Sequence, residues 1–424
     1  MKIANFAGQS LDELDRMLDG ERERVVRLVE EKQRLQKQLD TRLPEPRRLR
    51  GGRRTKTGTA KLVEGGWGER GLASRQFKKE VLGPIKSFAV CSAYRERSTL
   101  EGSTIPTNLI PAARRHARMP AYLEELTIRL GTGIGNLPPA VRDQHANYLK
   151  AAQQADGGFA GREGGSDLYY TGFALRGLAI LGELQGDVAE QAAGFLKSRL
   201  AGQETIIDFL SLVYGAMLLD AAAGIDVFAE AAPNWRDAVA AALEKLRRDD
   251  GGYAKGEAGM ASSTYHTFLV LLCRQLIERP LPQPERVVEF ILSQQAEEGG
   301  FREIRASKRA GTNPTAAAIA TLRILAALDD EIREHTLDFL VEMQTDEGGL
   351  RANTRIPIAD LLSTFTGSLT LIDLDGLDEI DVAAARRFAE GLQLESGGFH
   401  GAVWDPAHDV EYTFYGLGCL ALLK

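Results

Sequence analysis

The heptapeptide Gln344-Thr345-Asp346-Glu347-Gly348-Gly349-Leu350 is one copy of a motif that recurs along the chain. The other copies end in Gly157-Gly158-Phe159, Gly251-Gly252-Tyr253, Gly299-Gly300-Phe301 and Gly397-Gly398-Phe399. From residue 251 onward the copies lie 48 or 49 residues apart, whereas the first gap is about twice as long. We therefore expect a degenerate copy near residue 204, where the stretch 200–205 lacks paired glycines. A period of this length is typical of repeat architectures and predicts six units.

Each unit approaches its glycines through an amphipathic helix. This helix ends in an aromatic–aliphatic pair, and in most units a Gln follows five residues after the aromatic. We expect the glycine to end the helix at the position after its C-cap with a positive φ, and the Gln to cap carbonyls or bridge to the next unit. The pairs are Tyr148-Leu149, Phe195-Leu196, Ala242-Leu243, Phe290-Ile291, Phe339-Leu340 and Phe388-Ala389.

A second helix of a different kind follows each glycine loop. It is apolar on nearly every side, so it should be buried on nearly every side. Six amphipathic helices alternating with six buried ones predict an all-α fold, an (α/α)6 barrel of two concentric rings. The predicted inner helices span 169–181, 209–219, 265–273, 315–325, 361–372 and 412–423.

The inner helices all start just after a glycine loop, so their N-termini should open on one mouth of the barrel. Unpaired N–H groups and helix dipoles would make this mouth attractive to anions. An apolar cavity with such a rim suits an amphiphile that has a phosphate head; the alternative is that the aromatic side chains simply fill the core. The candidate lining residues are Tyr170, Phe173, Tyr265, Phe365, Phe414 and Tyr415.

Composition divides the chain into three parts. Residues 1–41 are predicted to form a charged amphipathic helix, for which a short coiled coil and a docked helix are both open. Residues 42–118, with 18 Lys and Arg against 6 Asp and Glu, are predicted to be a basic linker of low order. Residues 119–424 are the barrel, and one hypothesis is that Met119 is the physiological start.

Charge and cysteine usage narrow the function classes. The net charge of −7 and the strongly acidic barrel argue against nucleic acid as a partner. Three unpaired cysteines predict a reducing, cytoplasmic location. No apolar run is expected to reach membrane-spanning length.

The repeat resembles a known superfamily. Its pattern, seen at 148–159 and 290–301, is similar to that of protein prenyltransferase β subunits and squalene or oxidosqualene cyclases. Among these, the chain most resembles the β subunit of Rab geranylgeranyltransferase or farnesyltransferase, through Asp167-Leu168-Tyr169-Tyr170-Thr171 and Asp409-Val410-Glu411-Tyr412-Thr413. The acidic D-x-D-D motif of triterpene cyclases does not occur in the sequence. The resemblance implies an isoprenoid diphosphate as ligand and leaves an α-like partner subunit open.

The resemblance also implies a zinc ion held by a D-x-C pair and a histidine. Here Asp360 matches the aspartate, but Leu362 stands in place of the cysteine and Tyr412 in place of the histidine. The sequence therefore predicts no metal ligand set and no catalytic zinc, whereas Mg²⁺ accompanying a diphosphate is compatible with it. The family's diphosphate-binding histidine aligns with Met260, another departure.

The resemblance places basic residues in the loops that precede the inner helices. Arg351 and Arg355 in the fifth unit, and Arg305 and Lys308 in the fourth, are candidate diphosphate ligands; the alternative is that they are merely solvated. Asp360, Tyr412 and Asp409 are the candidate catalytic residues. The leading hypothesis is a zinc-independent prenyltransferase-like transferase. The alternatives are a non-catalytic scaffold that binds a lipid, peptide or subunit, and a carbohydrate-active enzyme on the same barrel.

Overall fold

The computed structural model describes residues 121–200 and 205–424. The predictions for 1–118 and for the degenerate motif at 201–204 lie outside the described residues. Within them, helix α1 (Tyr122–Ile134) precedes six helical hairpins. The outer helices are α2 (Pro139–Ala151), α4 (Asp187–Arg199), α6 (Trp235–Glu244), α8 (Pro284–Ser293), α10 (Asp330–Val341) and α12 (Val382–Glu390). The inner helices are α3 (Leu168–Leu181), α5 (Ile206–Ala223), α7 (Thr264–Leu276), α9 (Thr312–Ile324), α11 (Leu361–Asp373) and α13 (Val410–Leu422).

Three of the loops contain short antiparallel β-ladders, which were not predicted from the sequence. They pair β1 (Phe159–Ala160) with β2 (Ser166–Asp167), β3 (Tyr253–Ala254) with β4 (Ser262–Ser263), and β5 (His400–Ala402) with β6 (Asp405–His408). A 3₁₀ turn covers Leu377–Glu379.

The inner helices form a closed ring. Each packs against its successor, and α13 packs against α3. Phe173 of α3 lies 5.3 Å from Tyr415 of α13, and Phe365 of α11 lies 5.7 Å from Phe414, between ring centroids. These residues occupy equivalent positions in their helices, so the inner helices run parallel and begin at one end. The all-α toroid with a common mouth, as predicted, is confirmed.

The paired glycines hold neighbouring units together. A Cβ on Gly348 would lie 2.5 Å from the Ala384 carbonyl oxygen of the next outer helix, and one on Gly349 would lie 2.5 Å from the Phe388 ring. Only glycine therefore lets the loop approach the following unit this closely. The aromatic residue of each aromatic–aliphatic pair is thus the residue that covers the glycines of the preceding unit.

The last glycine pair closes the outer ring on the first unit. A Cβ on Gly397 would lie 2.5 Å from the Gln144 carbonyl oxygen, and one on Gly398 would lie 2.7 Å from the Tyr148 ring. Helix α2 therefore packs against the sixth glycine loop in the same way that α12 packs against the fifth. The third unit has Ala242 at the aromatic position, which matches the absence of a glycine pair from the preceding loop.

The glycines do not end the helices, which corrects the sequence-based expectation. Helix α2 ends at Ala151 with an αR C-cap, six residues before Gly157. The positive φ is confirmed, at 84° for Gly157 and 91° for Gly348, but it serves a turn beyond the helix. The expected role of the glutamine is confirmed: Gln344 Nε2 donates to the Gly348 carbonyl (2.8 Å) and to the Asp381 carbonyl of the next unit (2.9 Å).

A buried threonine in the first turn of most inner helices fixes the loop above it. Thr364 Oγ1 accepts a 2.9 Å bond from the Leu350 N–H and donates to the Asp360 carbonyl at 2.8 Å. Without this acceptor, a buried amide would lack a partner. The same bond joins Phe159 to Thr171, Tyr253 to Thr267 and Phe301 to Thr315.

Helix α1 covers the end at which the inner helices terminate. Gly131 approaches Ile180 of α3, Gly133 approaches Ala421 of α13, and Arg129 Nη1 lies 3.0 Å from Asp373 Oδ1 of α11. Its apolar face of Leu123, Leu126, Leu130 and Ile134 is almost completely buried. Within the described residues, α1 therefore covers the end of the toroid opposite the inner-helix N-termini.

One inner helix reaches membrane-spanning length, contrary to the sequence-based expectation. Within the described residues α5, with 18 residues, is long and apolar enough by length and composition alone. It packs between α3 and α7 as part of the inner ring. A buried core helix passes the same test, so this finding alone does not indicate a membrane span.

Candidate functional site

The mouth of the toroid is formed by the inner-helix N-termini, and most of them carry a side-chain cap. Asp167, Asp360 and Asp409 accept the N–H of Tyr170, Ser363 and Tyr412 at 2.7 to 2.9 Å. Thr205 and Ser263 cap α5 and α7 in the same way. These caps occupy N–H groups that the sequence analysis left free for an anion, and the three carboxylates oppose anion binding. Cationic side chains must therefore supply the attraction for an anion.

The candidate catalytic residue Asp409 is part of a partly buried cluster that joins the first unit to the last. Arg162 Nε lies 2.9 Å from Asp409 Oδ2 and Arg162 Nη1 lies 3.7 Å from Asp405 Oδ2. The guanidinium also lies 4.7 Å from the centroid of the Tyr412 ring. Burial raises the pKa of Tyr412, so its phenol stays protonated. The sequence analysis found Asp409 and Tyr412 but missed Arg162, which lies far away in the chain.

Asp360, the third candidate catalytic residue, is engaged as the cap of α11. Its Oδ1 accepts from the Ser363 N–H at 2.7 Å and its Oδ2 accepts from the Ser363 hydroxyl at 2.9 Å. Asp360 and Asp409 therefore occupy equivalent positions on α11 and α13, which are neighbours in the ring. Their catalytic role stays a prediction.

A cluster at the start of α7 combines three groups suited to proton transfer. The Ser263 hydroxyl donates to Glu303 of the following loop, and Ser263 Oγ lies 2.8 Å from His266 Nδ1. Burial raises the pKa of Glu303 to about 7, and burial lowers the pKa of His266 to about 4. His266 Nε2 is buried without a hydrogen-bond partner. A carboxyl group with a pKa near neutrality can accept or give a proton at pH 7, and no sequence motif had singled it out.

The candidate diphosphate ligands divide by exposure into one half-buried residue and three exposed ones. Arg351 Nη2 donates to the Glu342 carbonyl at the end of α10, at 2.9 Å, and this contact anchors the loop. Arg305, Lys308 and Arg355 are exposed. The Arg309 Nη1 donates to Thr354 Oγ1 at 3.0 Å, so the loops of the fourth and fifth units meet. The exposed cations belong to these two adjoining loops, which we call the basic rim (residues 302–309 and 351–355).

The candidate lining residues do not all lie equally deep. Phe365 and Tyr415 are fully buried, Tyr265 is 6% exposed, and Tyr170 is only half-buried at the mouth. The Tyr415 hydroxyl donates to Glu411 Oε1 at 3.4 Å. Together with Phe173 and Phe414, these rings form an aromatic interior below the mouth. Their role in lining a ligand cavity stays a prediction.

The residues at the zinc-ligand positions do not fit a zinc ion. Leu362 is buried and has no donor atom, and the Tyr412 ring lies beside the Arg162 cation. Across residues 121–200 and 205–424, no three His, Cys, Asp or Glu side chains are arranged to hold a metal. The preference of zinc for thiolate and imidazole ligands is therefore not met at this place.

The solved structures that resemble this toroid include enzymes acting on isoprenoids. Candida albicans protein geranylgeranyltransferase-I complexed with GGPP shares 16% identity with a TM-score of 0.53, covering 66% of this chain and 91% of that chain. A variant of the type II terpene cyclase MstE from Scytonema, in complex with its product merosterolic acid A, shares 16% identity with a TM-score of 0.47, covering 71% and 98%. At these identities the similarity concerns the fold alone.

The family assignment rests on sequence. No curated protein matches this chain by sequence. A family model described as the prenyltransferase alpha-alpha toroid domain matches residues 133–197, 192–354 and 315–424, which together span the six units. The chain belongs to the prenyltransferase alpha-alpha toroid family.

Proposed function

We propose that this protein binds an isoprenoid diphosphate, with the apolar chain inside the toroid and the diphosphate at the basic rim, and acts as a prenyltransferase-like enzyme that does not use zinc. The observation that carries the proposal is the bond from Arg309 to Thr354, which joins two cation-bearing loops beside an aromatic interior. Arginine and lysine at such a rim can neutralise a diphosphate, and aromatic walls suit an isoprenoid chain. Any Mg²⁺ would arrive with the diphosphate.

The acid–base step is best assigned to Glu303. Its pKa near 7 allows it to accept a proton from an acceptor at neutral pH, and it follows Arg302 at the start of the basic rim. The aspartates 360 and 409 already accept backbone N–H bonds as helix caps. In this proposal they and Tyr412 hold the mouth in shape near the acceptor.

A second candidate function is a non-catalytic binding scaffold. It is favoured by Leu362 and Tyr412, which stand where the family's chemistry needs metal ligands. Binding of a prenyl diphosphate without transfer to any thiol, amine or phenol acceptor would support the scaffold. Turnover that disappears in Glu303→Gln while binding persists would support the enzyme. A cytoplasmic location and an α-like subunit remain further proposals, open to fractionation and co-purification.

Calorimetric titration of the full chain tests ligand binding directly. We expect geranylgeranyl or farnesyl diphosphate to bind more tightly than geranylgeraniol, because only the diphosphates engage the basic rim. The double variant Arg305→Gln, Arg355→Gln should lose about tenfold or more in diphosphate affinity, with the alcohol unaffected. The matched control is Arg387→Gln, an exposed arginine on the outer helix α12, which should change neither affinity. The proposal would be overturned if neither diphosphate bound.

A further inference from the structure

Arg176 is a buried cation on the inner helix α3. Its side chain is 5% exposed, and its guanidinium lies 4.9 Å from the Phe173 ring and 5.0 Å from the Tyr214 ring. Among the described residues no carboxylate lies within ion-pair distance of it, and its Nε is buried without a hydrogen-bond partner. Arg129, Arg162, Arg274 and Arg323 also have largely buried side chains, and each of these four pairs with an Asp or Glu.

An unpaired buried guanidinium is unfavourable in the absence of a ligand. Arginine remains protonated in proteins, and burying a charge is costly unless that charge is paired. Aromatic faces attract a cation and offset part of this cost, but they supply no acceptor for its N–H groups. The guanidinium of Arg176 therefore has a buried Nε donor that no carboxylate satisfies.

The surrounding tyrosines hold the cation in a fixed place. Tyr214 donates its hydroxyl to the Leu123 carbonyl of α1 at 2.9 Å, and Tyr169 donates to Glu411 at 2.8 Å. The hydroxyl of Tyr415 also donates to Glu411. Because these phenols donate their protons elsewhere, their rings are anchored around Arg176. The guanidinium is therefore held in place before a ligand arrives, and such preorganisation favours ligand binding.

We propose that Arg176 is the anchor of a second binding site, deep in the toroid, for the carboxylate group of an apolar carboxylic acid. The planar fork of a guanidinium matches the two oxygens of a carboxylate. A single negative charge neutralises a single buried cation, whereas a diphosphate would bring uncompensated charge into an apolar interior. This site is separate from the basic rim and does not require that a diphosphate bind there.

The position of Arg176 in its helix determines how such a ligand would enter. Tyr169, half-buried at the mouth, precedes Arg176 by seven residues on α3. Seven residues of α-helix correspond to about 10 Å. Because α1 covers the opposite end, the ligand would enter past Tyr169 with its carboxylate leading and its apolar body behind.

The test compares farnesoic acid with methyl farnesoate, which share an apolar body but differ in charge. We expect the wild-type full chain to bind the acid at least tenfold more tightly than the ester at pH 7. Arg176→Met, which keeps the length of the apolar stem, should bind the two within about threefold. The control is Arg236→Met on the outer helix α6, whose guanidinium stacks on Trp235 at 4.8 Å and should leave the preference unchanged.

Thermal unfolding without ligand separates binding from folding. If Arg176 awaits an anion, Arg176→Met should unfold at or above the wild-type temperature, because the substitution removes an unpaired buried charge. Arg176→Lys should retain a folded chain but lose most of the preference, because an ammonium group lacks the planar fork. Equal wild-type affinity for acid and ester, no binding of either, or an undiminished preference in Arg176→Met would each overturn the proposal.

Discussion

The contact between Gly348 and the next unit leads to the sharpest stability prediction. Gly348 and Gly164 have nearly equal φ values, 91° and 92°. A Cβ on Gly348 would lie 2.5 Å from the Ala384 carbonyl oxygen, whereas a Cβ on Gly164 would meet nothing within 4 Å. The two positions therefore share the backbone cost of alanine but differ in the steric one.

The magnitudes follow from these two terms. A left-handed backbone costs a non-glycine residue roughly 1–2 kcal/mol, which applies to both variants. Overpacking adds about 1–3 kcal/mol, and it applies only to Gly348→Ala. We expect Gly164→Ala to lower the free energy of unfolding by about 1–2 kcal/mol and Gly348→Ala by about 2–5 kcal/mol.

Urea unfolding followed by circular dichroism measures both variants under one set of conditions. The midpoint should fall clearly further for Gly348→Ala, with a similar slope if the transition stays cooperative. Equal losses in the two variants would refute the reasoning, because the glycines would then serve backbone conformation and not the approach between units.

Three further predictions address other parts of the structure. Thr364→Val should lower the free energy of unfolding by about 1–3 kcal/mol, because the buried Leu350 N–H loses its acceptor. Thr370→Val loses only a bond to its own helix and should lower it less. Urea midpoints compare the two variants, and equal losses would contradict the shared role of the first-turn threonines. Burial raises the pKa of Glu303 from 4.5 to about 7. The free energy of unfolding of the wild type, relative to that of Glu303→Gln, should therefore fall as pH rises from below 4.5 through 7, by at most about 3 kcal/mol. A constant difference between the two proteins across that range would argue against the raised pKa. Leu130→Ala on α1 should cost about 2–5 kcal/mol, since this side chain is completely buried, and a loss below 1 kcal/mol in thermal or urea unfolding would show that α1 is not part of the core.

The ring of six hairpins was predictable because its cause is local and repeated. Each glycine pair and each all-apolar helix is visible in a short window of sequence, and the period counts the units. The gap at the second motif also has a visible counterpart in Ala242, which replaces the aromatic residue that would cover the missing glycine pair. A short window of sequence could not show which residues each glycine contacts, because these residues lie in the next unit.

The parts that escaped prediction depend on residues distant in sequence. Arg162 meets Asp409 across the closure of the ring, and Glu303 meets Ser263 across a unit boundary. Helix α1 lies outside the repeat, although the spacing of its leucines at 123, 126 and 130 could have indicated an amphipathic helix. Arg176 was visible as one charge in an apolar helix, but its lack of a partner becomes evident only when the whole interior is assembled.

A structure of the full chain with geranylgeranyl diphosphate would test the central claim most directly. The account predicts that the isoprenoid chain lies among the aromatic rings inside the toroid, with the diphosphate at the basic rim beside Arg305 and Arg355. Binding of the ligand on the outer surface, or with its diphosphate away from those two loops, would contradict it.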